Sequence, residues 1–393
     1  MNVLAFSMVL ARFHLFMCIF GYIAFQSVTS YPLDSYFEYY INLAPAVVYS
    51  NPDIQKIEAI KGNRRKSGIY RWVNLINGKS YIGSSSNLGE RFYRYYKNPY
   101  WFSGFCDGEA CFFISFQKHP SCSTGWNVRA VFSISLHEKD KPILELIKYY
   151  FGGVGNITKQ GKNSVQYRVT STQDLTNKII PHFDKYPLIT QKKVDFILWK
   201  KVIELIKNKE HLNLEGIKKI VNIKASINKG LSGELKTAFP KTIPIQRPLV
   251  QDQQILDSNW LAGFITAEGC FFVNIRKSAA YKTGFQITLH FIITQHYRDE
   301  QLMRSLVQYL DCGKVYIRYN EAVVDFKIFD LEDLTKKVLP FFVNYPLLGV
   351  KALDLADFSR AVELMRIKVH LTSEGLDQIR KIKAGMNSRR DSI

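Results

Sequence analysis

Hydrophobic and polar positions change period several times between residues 99 and 228, and the same changes recur further along the chain. Residues 99–109 carry apolar side chains at helical spacing, and Asn98-Pro99 supplies a helix start. Residues 111–117 and 126–136 are aromatic and β-branched with partial alternation, which predicts two strands separated by turn residues. Residues 141–151 return to helical spacing and stop at Gly152-Gly153. Residues 155–160 and 164–170 predict a hairpin around Gly161-Lys162-Asn163. Residues 172–185, 190–208 and 213–226 then predict helices. The unit is αββαββα with one four-stranded antiparallel sheet.

This unit occurs twice. Shifted by 159 residues, Trp101–Asn228 lies over Trp260–Asn387, and roughly 40 of about 128 positions are identical, the self-similarity of a repeat. WFSGFCDGEACFF (101–113) matches WLAGFITAEGCFF (260–272), and SISLHEKD (133–140) matches IITQHYRD (292–299). DLTNKIIPHFDKYPLI (174–189) matches DLTKKVLPFFVNYPLL (333–348), and KEHLNLEG (209–216) matches KVHLTSEG (368–375). The expected division is repeat one at 99–228, a linker at 229–259 holding Pro240, Pro244 and Pro248, and repeat two at 260–393. Two joined copies of one fold predict an internal pseudo-dimer, hence a monomer, with its active site on the pseudo-twofold axis.

The opening helix of each copy offers the chemistry. Gly104 and Gly108 share one helical face, as do Gly263 and Ala267. Stripes with almost no side chain allow two backbones to approach closely. Each stripe ends beside one carboxylate, Glu109 or Glu268. If the stripes pack together the two glutamates meet, and they repel unless a cation sits between them. A hard divalent cation such as Mg²⁺ takes oxygen ligands, and a symmetric carboxylate pair suits displacement at phosphate.

These segments resemble the LAGLIDADG motif of homing endonucleases, commonly encoded in organelle introns, and the resemblance covers 99–393 in its single-chain, two-repeat form. LAGFITAEG (261–269), YPLI-TQKK and HL-x-x-EG are similar to segments of fungal mitochondrial members. The resemblance implies cleavage of both strands of a long DNA site and a mitochondrial location. It implies metal binding by Glu109 and Glu268, assisted by the main-chain carbonyls of Gly108 and Ala267. A basic residue near the scissile phosphates maps to Lys192 and Lys351, which occupy one position of the repeat. No small-molecule cofactor is expected. Copy one departs from the pattern with Ala110 where a glycine usually follows the acid. If that position needs positive φ, Ala110 costs on the order of 1 kcal/mol or more and weakens catalysis.

The sheet face turned away from the helices is expected to read the major groove of double-stranded DNA. Its polar phase holds Ser115, Gln117, Asn127, Arg129, Gln166 and Arg168 in copy one. Copy two offers Asn274, Arg276, Gln286, Thr288, His290 and Lys327. The sets differ at most aligned positions, which predicts a non-palindromic target. The expected whole is α+β: two pseudo-symmetric repeats forming a DNA-binding saddle.

Charge sharpens the partner. Among 393 residues, 53 Lys plus Arg face 34 Asp plus Glu, a formal charge of +19, which calls for a polyanion. Intron RNA is the alternative partner, in a splicing cofactor, and a catalytically weakened DNA-binding protein is the third reading. Hydrophobic residues at 47% exclude a disordered chain. Six cysteines without a C-x-x-C pair predict neither a disulfide scaffold nor a structural zinc site.

Two segments precede the repeats. Residues 1–33 form a hydrophobic stretch with no acid before Asp34, interrupted by Arg12 and His14, and leave membrane span, leader and unrelated upstream sequence open. SGIYRWVNLINGKSYIGSSSNLGERF (67–92) resembles the start of a GIY-YIG nuclease. Its two short strands would pair through an Asn77-Gly78 turn, and Tyr70, Tyr81 and Arg91 match that family's tyrosines and arginine. No acid follows at the spacing that family needs before the repeats begin, so 64–98 reads as a truncated α/β fragment.

Overall fold

The computed structural model describes residues 98–387 and 390, together with 4–9, 47–49, 62–63, 66, 68–74 and 80–85. Chain contacts divide it into two compact units, 1–97 and 98–393.

In the first unit β1 (Leu4–Val9), β2 (Val47–Tyr49), β3 (Gly68–Asn74) and β4 (Ser80–Ser85) form a sheet in the order β2-β1-β3-β4. β3 and β4 are antiparallel, with Tyr70 opposite Gly83 and Trp72 opposite Tyr81, so the anticipated pairing of those two strands is present. The Asn77-Gly78 turn and Arg91 lie outside the described residues. Leu4–Val9 pairs along all of its length with β3. Those six residues are therefore a strand, which corrects the spanning-helix option for them. Among the described residues no helix is long and apolar enough to cross a membrane.

The second unit holds two αββαββα copies. In the first, α1 (Pro99–Glu109) leads into β5 (Ala110–Lys118) and β6 (Trp126–His137). Then come α2 (Lys141–Tyr150), β7 (Asn156–Gln160), β8 (Ser164–Val169), α3 (Lys192–Lys207) and α4 (Leu214–Ala225). The second copy repeats this with α5 (Ser258–Glu268), β9 (Gly269–Lys277), β10 (Phe285–His296) and α6 (Glu300–Leu310). It ends with β11 (Lys314–Arg318), β12 (Val323–Ile328), α7 (Val350–Arg366) and α8 (Ser373–Ala384). The sheets run β5-β6-β8-β7 and β9-β10-β12-β11, all antiparallel. The helix expected over 172–185 is interrupted by a π-type turn at Leu175–Ile179, repeated at Leu334–Val338. Each lies just before a proline, Pro181 or Pro340, whose missing N–H breaks the regular ladder.

Strand alternation sorts the two sheet faces. Phe112, Ile114, Val128, Ala130, Phe132, Val165, Tyr167 and Val169 are buried under the helices. The core of each copy is an aromatic nest at matching repeat positions. Phe112 meets Phe132, Phe183 and Trp199 at 5.3 Å between ring centres. Phe271 meets Phe291, Phe342 and Phe358 at 5.1, 5.8 and 5.3 Å. The segment between the copies contains a short helix, Gly233–Ala238, which its composition did not suggest. It is pinned to copy one where Arg247 meets Asp195 at 2.6 Å and Gln191 bonds both polar groups of Val250.

Candidate active site

Asn98 caps α1 by accepting from Tyr100 N at 2.9 Å, with Pro99 at the first helical position, and Asp257 accepts from Asn259 N at the start of α5. The glycine stripes then pack face to face. A β-carbon on Gly104 would lie 1.9 Å from the Trp260 carbonyl oxygen, and one on Gly263 would lie 2.0 Å from that of Trp101. Only glycine fits at either crossing.

At the far end of this seam stand Glu109 and Glu268. A β-carbon on Gly108 would meet Glu268 Cγ at 3.0 Å and Oε1 at 3.2 Å, so the missing side chain opens space beside the carboxylate. Burial pushes the Glu109 carboxyl up to about 7, and the Glu268 charge adds to the rise. Burial also raises Glu268, against the pull of Lys192, a hydrogen bond from Gln295 and the pull of Lys351. In copy one the position of Gln295 is Leu136, so Glu109 lacks the matching donor. Two half-buried carboxylates brought to one end of the seam, with the Glu268 charge raising Glu109, are oxygen donors of the kind a hard divalent cation takes.

Both lysines reach this end of the seam. Lys192, the first residue of α3, donates from Nζ to the Gly108 carbonyl at 2.6 Å and to that of Cys106 at 3.2 Å. Lys351 donates to the Gly269 carbonyl at 2.5 Å. The Gly108 carbonyl, expected beside a metal, is thus a lysine acceptor here, and the matching lysine takes a carbonyl two residues beyond Ala267.

Position 110 needs no positive φ. Ala110 sits at φ −76° and ψ 150°, and Gly269 at φ −69° and ψ 144°. The expected strain at Ala110 is absent, because both helices pass directly into extended strand. What excludes a side chain at Gly269 is Ile265, whose Cγ2 would lie 2.6 Å from the new β-carbon. Copy one carries the smaller Cys106 at that position.

Three aspartates frame the site that the sequence did not single out. Asp107 is buried between the copies and accepts from Ile189 N (2.8 Å), Thr190 N (3.2 Å), Thr190 Oγ1 (2.6 Å) and Trp260 Nε1 (2.8 Å). Burial raises its carboxyl to about 6 despite these donors. Asp299 accepts from Gln191 N at 2.7 Å, and Asp140 from Val350 N at 2.8 Å. Asp140 and Asp299 occupy one position of the repeat, visible in SISLHEKD and IITQHYRD; that recurrence is the signal that could have found them. Asp107 has no such signal, since its counterpart is Thr266, which bonds back to Ala262 O.

The outer sheet face carries the anticipated polar set. Ser115 is opposite Arg129 and Gln117 opposite Asn127, while Gln166 and Arg168 face Ser135 and Ser133. Gln117 and Arg129 are exposed, and the others are half-buried. Arg168 lies over the Phe113 ring at 5.5 Å with its Nε buried and unbonded. In copy two Asn274 is opposite Thr288 and bonds it at 3.3 Å, Arg276 donates to Gln286 at 2.5 Å, and His290 lies 2.9 Å from Thr288 Oγ1. Lys327 is held 3.0 Å from Asp325, a buried carboxylate that also meets Arg318 at 3.1 Å and Thr294 at 2.7 Å. Asp325 was not anticipated, because copy one has Gln166 there.

The family model described as LAGLIDADG endonuclease matches residues 102–203 and 261–362. The probable intron-encoded endonuclease 3 of Neurospora crassa is 38% identical over 81% of this chain, and the probable intron-encoded endonuclease 2 of that fungus 37% over 73%. The chain spans 61% and 64% of the lengths of these two relatives. The solved LAGLIDADG homing endonuclease I-SmaMI bound to cleaved DNA is 44% identical, with a TM-score of 0.73 over 75% of this chain and 98% of its own. I-SmaMI bound to uncleaved DNA target in the presence of calcium ions superposes with a TM-score of 0.72 at 44% identity, over 74% of this chain and 99% of its own. Each match of the family model contains all but the first three residues of one seam helix, with its glutamate and the lysine of the same copy, and on that basis the chain belongs to the LAGLIDADG endonuclease family.

Proposed function

We propose that this protein is a site-specific, intron-encoded homing endonuclease that hydrolyses both strands of a long, non-palindromic DNA target in the mitochondrion. The observation that carries the reading is the meeting of Glu109 and Glu268 at the end of the glycine seam, each with one lysine reaching the same end. Glu109 and Glu268 would hold a divalent cation such as Mg²⁺, with the Gly108 and Ala267 carbonyls nearby. When bound, the ion supplies neutralisation of phosphate charge and a more acidic water.

The chain's own residues do the rest. Lys192 and Lys351 place one ammonium at the end of each seam helix, where negative charge developing on a phosphate is stabilised. The polar outer faces of the two sheets supply different side chains to the two halves of the site, which favours an asymmetric target. Within copy two Arg276 and Gln286 are joined across the strands by one exposed hydrogen bond, so the two side chains are offered to the groove as a pair.

The test is incubation of the protein and Mg²⁺ with a supercoiled plasmid carrying the uninterrupted sequence of the host gene. Linear product dependent on the metal supports the reading. An intact plasmid refutes it, and retained binding of the intron transcript would then favour the RNA splicing role.

A further inference from the structure

The helices that carry the two lysines are each started by the opposite repeat. α3 begins at Lys192, and the N–H of the preceding Gln191 is taken by Asp299, which belongs to copy two. α7 begins at Val350, and its N–H is taken by Asp140, which belongs to copy one. Both aspartates follow the long central strand of their own sheet, in the short turn before α2 or α6. The contact is tight on both sides. A β-carbon on Gly349 would lie 2.2 Å from Asp140 Oδ1, and Asp299 Oδ1 also accepts from Gln253 Nε2 at 2.6 Å. A carboxylate at the first N–H groups of a helix fixes where the helix begins and favours its dipole.

We propose that Asp140 and Asp299 are positioning residues, Asp140 for Lys351 and Asp299 for Lys192, so that each repeat controls the strand cut beside the lysine of the other. This rests on the nuclease reading above. The two sides are not equally supported. The segment before Lys192 has a second holder in Asp107, which takes the N–H groups of Ile189 and Thr190, and Thr190 Oγ1 in turn accepts from Lys192 N at 3.2 Å. The segment before Lys351 has Thr266 in place of Asp107 and a glycine at φ +66° just before the helix. Loss of Asp140 should therefore cost more than loss of Asp299.

The experiment scores cleavage of each strand separately on end-labelled target DNA, alongside amide hydrogen exchange of the metal-free protein. Asp140→Ala should slow one strand by about tenfold or more and leave nicked product, because small displacements of a catalytic group are costly. Asp299→Ala should nick with the opposite strand bias and a smaller slowing. The Asn variants keep an acceptor oxygen in place and should restore even cutting. Val350→Pro removes the same N–H from the other partner, at a first helical position that tolerates proline, and should reproduce the bias of Asp140→Ala even if that variant folds poorly. Exchange should accelerate around 350–353 in Asp140→Ala while 192–195 stays protected. Equal slowing of both strands, no rescue by Asn, or unchanged exchange overturns the proposal. A parent protein that cuts neither strand overturns the nuclease reading instead, and the exchange measurement still decides the positioning claim.

Discussion

Position 109 shows how burial, and after it a neighbouring carboxylate, changes the character of a glutamate. Glu109 is held near 7, chiefly by burial and then by Glu268, whereas a solvated glutamate ionises near 4.5. Its folded-state value is raised, so in metal-free protein the charged form destabilises the fold increasingly as pH climbs from about 4.5 through 7. Glu109→Gln removes that penalty. In the presence of a chelator its melting temperature should exceed the parent's at pH 8, with the gap closing by pH 5. The same substitution, or Glu268→Gln, should abolish cleavage while site binding survives, measured by paired cleavage and gel-shift assays. Cleavage at the parental rate by either variant would sink the shared-metal assignment. Ala110→Gly, by contrast, should leave cleavage unchanged and cost about 0.5–1 kcal/mol of stability, because the backbone there is extended and glycine adds only unfolded-state freedom. The equivalence of the two glutamates was legible from recurrence, and the lysines were singled out by recurrence together with the family resemblance. The conformation at 110 was not, because helix-to-strand passage at a motif end depends on what the strand pairs with.

At the scale of elements, the seam between α1 and α5 allows little adjustment. The atoms that a β-carbon at position 104 would strike belong to backbone, which cannot rotate away. Gly104→Ala should therefore destabilise the protein by about 2 kcal/mol or more, in the range of an overpacked core, read as a loss of denaturation midpoint. A second element-scale feature separates the copies. In copy one, His182 sits in the core with Ser103 Oγ 3.1 Å from Nε2 and the Tyr150 hydroxyl 2.8 Å from Nδ1. The Ser103 hydroxyl hydrogen goes to the Tyr186 carbonyl at 2.6 Å, so Nε2 donates, Nδ1 accepts, and the ring is neutral. Burial lowers this histidine from 6.5 to about 3. Between those values the unfolded chain binds the extra proton, so stability should fall as pH drops from 6.5 towards 3. Copy two has Phe341 at this position and Ala262 in place of Ser103. His182→Phe should flatten the acid limb of the stability profile, followed by thermal melts from pH 4 to 7.

At the scale of the whole molecule, the surplus of +19 charges leads to the expectation that phosphate contacts supply a large part of any nucleic-acid affinity. If about six to ten phosphates are neutralised, affinity should drop by about 10³-fold or more between roughly 50 and 200 mM salt. A slope near zero would show that the positive surface does not meet DNA. Lys327→Ala should change that slope little, because Asp325 already pairs with the ammonium at 3.0 Å.

The sequence by itself determined the elements, their order and their duplication, because period-2 and helical spacing, glycine stripes and terminal acids are local patterns that survive in any register. It also determined that the two glutamates are equivalent. Only the tertiary structure decided which polar groups cross between the copies. Asp107 reaches Trp260, Asp299 the start of α3, and Asp140 the start of α7. None of these pairs shares a local period; they meet because two sheets are docked through helices that approach within backbone contact. That approach requires both glycine stripes at once, and it brings to each lysine helix an aspartate distant from it in sequence.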